Sequence, residues 1–259
     1  MRYLIALLIS LSAACVSAQT PQEWAQKRAN VFILGEVHDN PTHHARQADF
    51  LRDLAPKAVI YEMLHPAEAA SLSTVPRESD AVKAAVTGME WANLSDYADV
   101  LVASEVIVGA ALPRDQVRAA FSTDAATVFG GQAKQYGLNA DLSDDEVTLR
   151  KELQFSAHCE AMPLEMMGGM VEAQRLRDAV FARATLEALD TYGSPVVLIT
   201  GNGHARRDWG VPRHIAQAAP DVVVLTFGQS EGGANLSGGF DAIWDASAVE
   251  RPDPCAAFQ

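Results

Sequence analysis

Positive charge is scarce in this sequence, which carries 20 Lys and Arg residues against 33 Asp and Glu and has a net charge of −13. No run of Lys or Arg interrupts that acidity. An acidic chain without a basic patch is repelled by phosphate backbones and by anionic lipid headgroups. Nucleic acid and anionic membrane surfaces are therefore poor candidates as partners.

Long hydrophobic runs are also absent, apart from a short one at the start of the chain. Met1-Arg2-Tyr3 is followed by LIALLISLSAACVSA, an apolar stretch too short to span a bilayer that ends in small residues. This pattern predicts a secretory signal peptide over residues 1–18 and a single exported domain over residues 19–259, which would be periplasmic. The alternative is cleavage at Cys15 within LSAAC, which would leave the chain lipid-anchored to the membrane.

Cysteine is rare, with three residues in the whole chain. Cleavage after Ala18 leaves Cys159 and Cys255, which can pair in an oxidising compartment. Lipidation would use Cys15 and leave the same two residues. Pairing requires that the fold bring their Cα atoms close together.

What the sequence does contain is a series of short apolar runs that are rich in β-branched residues and show no polar alternation. Helical patterns separate them, an arrangement typical of parallel strands covered on both faces. The chain is therefore predicted to have an α/β fold. The predicted strands are residues 31–34, 58–61, 106–110, 196–199 and 222–226.

Helix signals and insertions complete the predicted organisation. Ser143 and Glu146 have the spacing of a capping box, and Pro163 suits the first turn of a long helix that ends near Gly193. Residues 63–95 and 120–165 are predicted to be helical insertions that cover the C-terminal edge of the sheet as a lid. The tail after Gly228 is rich in Gly, Ser and Pro and is predicted to be mainly loop.

Acidic residues and histidines follow three of the predicted strands. Glu36 and His38 follow the first strand, Glu62 the second and His204 the fourth. Ligands of open parallel sheets bind beyond the carboxyl ends of the strands, so these four side chains are predicted to converge. Two carboxylates and two imidazoles suit either a divalent cation or a general base held in one tautomer. Any one of them alone would more often be a capping or solvated residue.

Several other polar residues leave two interpretations open. His43 and His44 follow Asn40-Pro41-Thr42, which resembles a helix start, so they are either close to a ligand or exposed. A polar stripe on the predicted long helix, and a histidine before that helix, either face the site or are solvated. The stripe consists of Gln174, Arg177 and Asp178, and the histidine is His158.

Five segments, LGEVHDNPTHH, VIYEML, AHCEAMP, MVEAQRLRDAVFARA and LITGNGHARRDWGVPRHI, together resemble the ChaN-like haem-binding domain of the Tiki/TraB/erythromycin-esterase superfamily. They occur in the family's order within residues 31–228. The resemblance implies a three-layer α/β/α fold around a mainly parallel central sheet. It also implies that the strand-end residues match the superfamily's shared active-site positions, which are Glu36, His38, Glu62 and His204.

The resemblance further implies haem binding in bacterial iron acquisition, with a tyrosine as iron ligand. Tyr97 in WANLSDYADV is the predicted ligand, because the family's pattern there also carries aromatic residues. The haem propionates would pair with arginines, for which Arg114, Arg206 and Arg207 are the candidates. The expected partners are haem, a second copy that sandwiches it in a homodimer, and outer-membrane uptake machinery.

The hydrolytic branches of the superfamily suggest a different function. In that case Glu36, His38, Glu62 and His204 would hold a divalent metal ion or activate water in an esterase or peptidase. One pocket can also combine a metal at the strand ends with haem at its mouth. The third alternative is an interaction protein in which the cluster is vestigial.

Overall fold

The computed structural model describes residues 20–256, and within them a six-stranded sheet has the order β3-β2-β4-β1-β5-β6. Every strand pair in it is parallel. The strands are β1 (Val31–Glu36), β2 (Ala58–Tyr61), β3 (Ile107–Gly109), β4 (Val196–Gly201), β5 (Val224–Glu231) and β6 (Ala242–Ala246). The predicted signal peptide and its alternative cleavage site at Cys15 lie outside the described residues.

Helices cover both faces of the sheet. They are α1 (Pro21–Ala25), α2 (Pro41–Leu54), α3 (Pro66–Leu72), α4 (Ser79–Val86), α5 (Ala98–Val102), α6 (Arg114–Ser122), α7 (Ala125–Phe129), α8 (Asp144–Ala157), α9 (Met167–Tyr192), α10 (Asn202–Ala205) and α11 (Val211–Ala218). Short 3-10 turns occupy Leu94–Tyr97 and Leu164–Met166. In the part of the chain that is described, no helix combines the length and apolar character needed to cross a bilayer.

Two hydrophobic cores explain why the apolar runs form strands buried on both faces. Successive side chains of a strand point to opposite faces. Phe32 and Leu34 of β1 pack into one core with residues of α2, α4 and α5. Val31 and Ile33 pack into the other core with residues of α6, α9 and α11. The predicted three-layer α/β/α fold is confirmed.

The C-terminal part of the chain corrects one prediction. Strand β5 continues past Gly228 to Glu231, and β6 pairs with it from Phe227↔Ala242 to Glu231↔Ala246. The tail predicted to be mainly loop thus supplies the last strand of the sheet. Trp244 of β6 is buried in a stacked contact with Phe227, at 4.9 Å between ring centroids. This contact anchors β6 beside β5, although the segment that joins the two strands is rich in Gly.

The helix ends agree with the sequence in part. Ser143 accepts a hydrogen bond from the Glu146 amide, as predicted, but the Glu146 carboxylate binds Arg150 and Arg213 in place of completing a capping box. Pro163 precedes the 3-10 turn, so α9 begins only at Met167. Gly193 ends α9 with a φ of 84°, a conformation that favours glycine.

The two insertions take different positions. Trp91 of the first insertion contacts the His38 ring, at 5.0 Å between centroids, so this insertion covers the strand ends. The second insertion packs along α9, where Gly169 fits against Phe121 and Arg175 donates to the carbonyl of Leu138. A disulfide joins the end of this insertion to the C-terminal tail, with the Cα atoms of Cys159 and Cys255 5.3 Å apart.

Candidate functional site

Glu62 lies at the centre of the strand-end cluster. The parallel register places Glu36 opposite Gly201 and Tyr61 opposite Ile199, so the residues that follow these strands share one edge of the sheet. The Glu62 carboxylate accepts hydrogen bonds from the Thr200 hydroxyl at 2.5 Å and from the Gly201 amide at 2.8 Å. These bonds fix one carboxylate oxygen, Oε2, and leave Oε1 directed at two histidines.

Each of those histidines is held by a second carboxylate on its other ring nitrogen. His38 donates from Nδ1 to Glu36 Oε1 at 2.8 Å, and His204 donates from Nδ1 to Asp178 Oδ1 at 2.6 Å. Their Nε2 atoms lie 4.0 and 3.6 Å from Glu62 Oε1. The predicted convergence of the four strand-end residues is thus present as two carboxylate–histidine pairs that face one carboxylate.

Close approach of backbone and side chain permits this arrangement. A Cβ atom added at Gly201 would lie 3.0 Å from His38 Nε2, tighter than nine in ten real Cβ contacts. A larger residue there would therefore require the imidazole to shift by a few tenths of an ångström. Gly201 therefore holds its place because the ring must lie against the end of β4.

The charges of the cluster stabilise one another. Burial would lower the pKa of His38, but its hydrogen bond to Glu36 and the negative charge of Glu62 outweigh burial and raise it to about 9. Burial is likewise outweighed at His204, where Glu62 and Asp178 raise the pKa. Burial would raise the pKa of Glu62, yet the positive charges of His204 and His38 lower it. His38, with a pKa of about 9, is therefore an imidazolium near neutral pH, and the carboxylates beside His204 favour its charged form in the same way.

Glu36 is enclosed by residues from two further elements, α2 and the 3-10 turn Leu94–Tyr97. Its Oε2 accepts from the Gln47 side chain at 2.7 Å and lies 3.7 Å from His44 Nε2. Its Oε1 accepts from the Tyr97 hydroxyl. The His44 ring packs on the Tyr97 ring with 4.0 Å between centroids. Burial, followed by the charge of Glu36, raises the pKa of Tyr97, so its phenol is strongly held in the protonated form.

A cavity of about 470 Å³ opens beside Glu62, under the first insertion. This volume is within the range of small-molecule sites. Its wall combines apolar side chains with three arginines, a composition suited to an apolar ligand that carries negative groups. The lining residues are Glu62, Met63, His65, Glu90, Trp91, Ala111, Leu112, Arg114, Val117, Arg118, Arg177 and Phe181.

The structure places the other predicted site residues at varying distances from this cavity. Arg114 and Arg177 line it. Gln174 lies beside the cluster, with its amide nitrogen 3.2 Å from both ring nitrogens of His204. Tyr97 has no exposed surface and lies behind Glu36.

The remaining predicted residues have local partners away from the cavity wall. His43 and His44 are buried, and His43 binds the amide of Val37 and the carbonyl of Ser230. His158 binds the carbonyl of Gln154 at the end of α8. Arg206 pairs with Asp208 and stacks on Trp209, and Arg207 pairs with Asp241.

The predicted divalent metal site, made of Glu36, His38, Glu62 and His204, is not present as a set of converging ligands. Within residues 20–256 no group of three or more His, Cys, Asp or Glu side chains is arranged to hold a metal ion. Metal ligation requires neutral imidazoles, and the neighbouring carboxylates raise the pKa of both His38 and His204, so protons would compete with a metal ion for these rings. The four residues meet through hydrogen bonds and ion pairs, with Glu62 at the centre.

Asp178 belongs to the polar stripe that the sequence left open, and it faces the site, where it binds His204. Other residues of the site were not predicted. Thr200 is the strand residue next to the glycine-histidine motif, but its direction toward Glu62 depends on the pairing of β2 with β4. Arg118 follows Arg114 by one turn of α6. Trp91 lies in an irregular segment with no periodic signal.

The charge of His38 leads to a prediction for stability against pH. Its folded-state pKa of about 9 exceeds the unfolded value of about 6.5, so its stabilisation is complete below pH 6.5 and is lost as pH rises through 9. Since the side chain is 33% exposed, solvent screening should reduce the effect to about 1 kcal/mol. Urea unfolding at pH 6 and pH 10 should show a larger difference between wild type and His38→Gln at pH 6. A difference that is the same at both pH values would contradict this assignment.

The protein is thus a parallel α/β/α protein with an acid–histidine cluster at its strand ends and helical insertions beside the cluster. A family model described as "Haem-binding uptake, Tiki superfamily, ChaN" matches residues 24–215. This is well over half of the chain, so the chain belongs to that family, which confirms the resemblance seen in the sequence. No curated protein matches the sequence at a significant level.

Two solved structures are similar to this one. The structure titled "Cofacial heme binding to ChaN of Campylobacter jejuni" has a TM-score of 0.59 and 20% identity, over 83% of this chain and 86% of that one. At this identity the likeness shows the shared fold. The type III effector HopBA1 has a TM-score of 0.46 and 12% identity, over 92% of this chain and 100% of that one.

Proposed function

We propose that this protein is an exported haem-binding protein of bacterial iron uptake, and that haem occupies the cavity beside Glu62. The observation that carries the proposal is the composition of that cavity, in which three arginines flank an apolar wall. The haem ring requires apolar surface and its two propionates require cationic partners. Membership of the haem-binding ChaN family supports the same ligand.

The arginines fit the propionates in charge and availability. Arg118 and Arg177 have no acidic partner within ion-pair distance among the described residues, whereas Arg114 is paired with Glu90. Arg206 and Arg207 already bind Asp208 and Asp241 away from the cavity. We therefore assign propionate binding to Arg114, Arg118 and Arg177, and Trp91 and Phe181 to the flat faces of the ring.

The predicted iron ligand is not positioned for ligation in this structure. Tyr97 remains the predicted ligand, but its hydroxyl is bound to Glu36 and its pKa is raised. Tyr97 is also buried and does not line the cavity. Ligation by Tyr97 therefore requires its side chain to reach the cavity, the Tyr97–Glu36 hydrogen bond to break and the phenol to lose its proton. A phenolate ligand would favour ferric iron.

A haemin titration of the mature protein, followed by visible absorption, tests the proposal. We expect saturable, stoichiometric binding, with a high-spin ferric tyrosinate-like spectrum if Tyr97 is the ligand. Tyr97→Phe should then lose that spectrum, and Tyr192→Phe, which alters an exposed tyrosine, should keep it. Weak binding without saturation would rule out haem as the ligand. An unchanged spectrum in both Tyr97→Ala and His204→Ala would contradict the placement at this site.

Export and assembly are further parts of the proposal. The Cys159–Cys255 disulfide is typical of proteins outside the reducing cytosol and supports a periplasmic or membrane-tethered location. We propose a homodimer that sandwiches haem between its two copies. We further propose that this dimer exchanges haem with uptake machinery of the outer membrane. Ultracentrifugation with and without haemin tests the dimer, since haemin should increase the dimer fraction.

A second candidate function is a His-based or metal-dependent hydrolase. The observation that favours it is the pair of carboxylate–histidine dyads around Glu62, which resembles the arrangement of a general acid and base. Esterase and peptidase substrates, assayed with and without added Mn²⁺, Co²⁺ or Zn²⁺, test this function. Activity lost in His38→Ala would support it, and a metal-free, inert protein would reject it.

A further inference from the structure

The three arginines of the cavity differ in what they bind. Arg114, at the start of α6, donates from Nε to Glu90 Oε1 at 2.8 Å. Arg118 and Arg177 form no ion pair with any acidic side chain of residues 20–256. One of the three cations that face the cavity is therefore already paired with a carboxylate of the chain itself.

Glu90 is held in place through its backbone more than through its side chain. Its amide donates to Glu68 Oε1 at 3.0 Å, and Glu68 Oε2 accepts from the His65 amide at 2.8 Å. The Glu90 carboxylate bridges Arg114 and His65 Nε2, the latter at 3.0 Å. Release of Arg114 thus requires only rotation of the Glu90 side chain, while the backbone stays fixed by Glu68.

The ion pair is also weak enough to exchange. Arg114 is 75% exposed and Glu90 is 46% exposed, so water screens their attraction. Exposed ion pairs contribute little to stability. A ligand carboxylate held beside Arg118 and Arg177 at high local concentration can replace such a partner.

We infer that Glu90 is an internal competitor for the ligand's carboxylate and that the Glu90–Arg114 pair, here called the latch, lowers the affinity of the cavity for carboxylate-bearing ligands. The inference rests on the proposed function and assigns to Glu90 the role of weakening ligand binding. Until a ligand supplies a carboxylate, Glu90 neutralises Arg114. A ligand without carboxylates would leave the latch closed and gain nothing from Arg114.

Haemin affinity of the full mature chain tests the latch. Glu90→Gln should bind haemin about threefold more tightly than wild type, because Arg114 is then free. Asp115→Asn is the matched control, since it removes an equal charge beside Arg114 on α6 and its carboxylate binds only the Gln116 amide among the described residues. We expect Asp115→Asn to change affinity by much less.

A double-mutant cycle separates the latch from a general charge effect. In an Arg114→Gln background, Glu90→Gln should no longer tighten binding, since the group for which Glu90 competes is gone. An equal gain in both backgrounds would overturn the latch, as would unchanged affinity in Glu90→Gln itself while wild type binds saturably. Failure of wild type to bind haemin saturably would instead overturn the proposed function, and the latch with it.

Discussion

Haemin affinity should fall by about 100-fold when Arg118 and Arg177 are both replaced by glutamine. Hydrogen bonds to charged groups contribute about 1.5–3 kcal/mol each, and each 1.4 kcal/mol is tenfold in affinity. The two guanidinium groups line the cavity and have no acidic partner within ion-pair distance among residues 20–256, so both are available for a ligand carboxylate. Glutamine keeps the aliphatic part of the side chain and a polar end, and removes the positive charge with most of the N–H donors.

The control for this variant changes the same net charge elsewhere. Arg28 lies beside Asn30 and Val223, at the beginnings of β1 and β5, and Arg52 pairs with Asp49 on α2. Arg28→Gln combined with Arg52→Gln should leave haemin affinity within about threefold of wild type. A similar loss in both double variants would mean that haemin responds to the overall charge of this acidic protein and not to the cavity. Titrations followed at the haem absorption band give both affinities.

The sequence predicted the site through the topology of the sheet. Glu36, Glu62 and His204 each follow an apolar strand, and because parallel strands end at one edge, their convergence required no knowledge of distances. The raised pKa of His204 was not predictable in the same way. It depends on Glu62 and also on Asp178, which reaches His204 from α9, a helix whose rotation about its axis is set by packing against the sheet.

The wall of the cavity and strand β6 could not be predicted from the sequence, for a related reason. Trp91 and Glu90 lie in an irregular segment, and irregular backbone has no period from which side-chain direction can be derived. Strand β6 forms because Trp244 packs on Phe227, and this long-range contact overrides the local Gly and Ser composition. Arg206 does not line the cavity, because it pairs with Asp208 and stacks on Trp209, and such local contacts cannot be derived from the sequence pattern.

Asp178→Ala is expected to lower the free energy of unfolding by about 3–5 kcal/mol at pH 6, the cost of removing one partner of a buried ion pair. Asp178 has no exposed side-chain surface, and its Oδ1 accepts a hydrogen bond from His204 Nδ1, with 2.6 Å between the two atoms. Without it, His204 has only Glu62, 3.6 Å away, as a negatively charged neighbour in the cluster. Asp178→Asn should cost less, since an amide oxygen still accepts that hydrogen bond.

The dependence of this loss on pH identifies its cause. His204 has a raised pKa in the fold, so the stability that it gains from Asp178 is complete below about pH 6.5 and is lost as pH rises through the raised value. The difference between wild type and Asp178→Ala should therefore shrink at alkaline pH in urea unfolding. A loss caused only by the missing side-chain volume would be equal at every pH.

Asp178 does not line the cavity. An Asp178→Ala variant that is folded at the assay temperature should therefore still bind haemin, and this result would separate the stability of the cluster from ligand recognition.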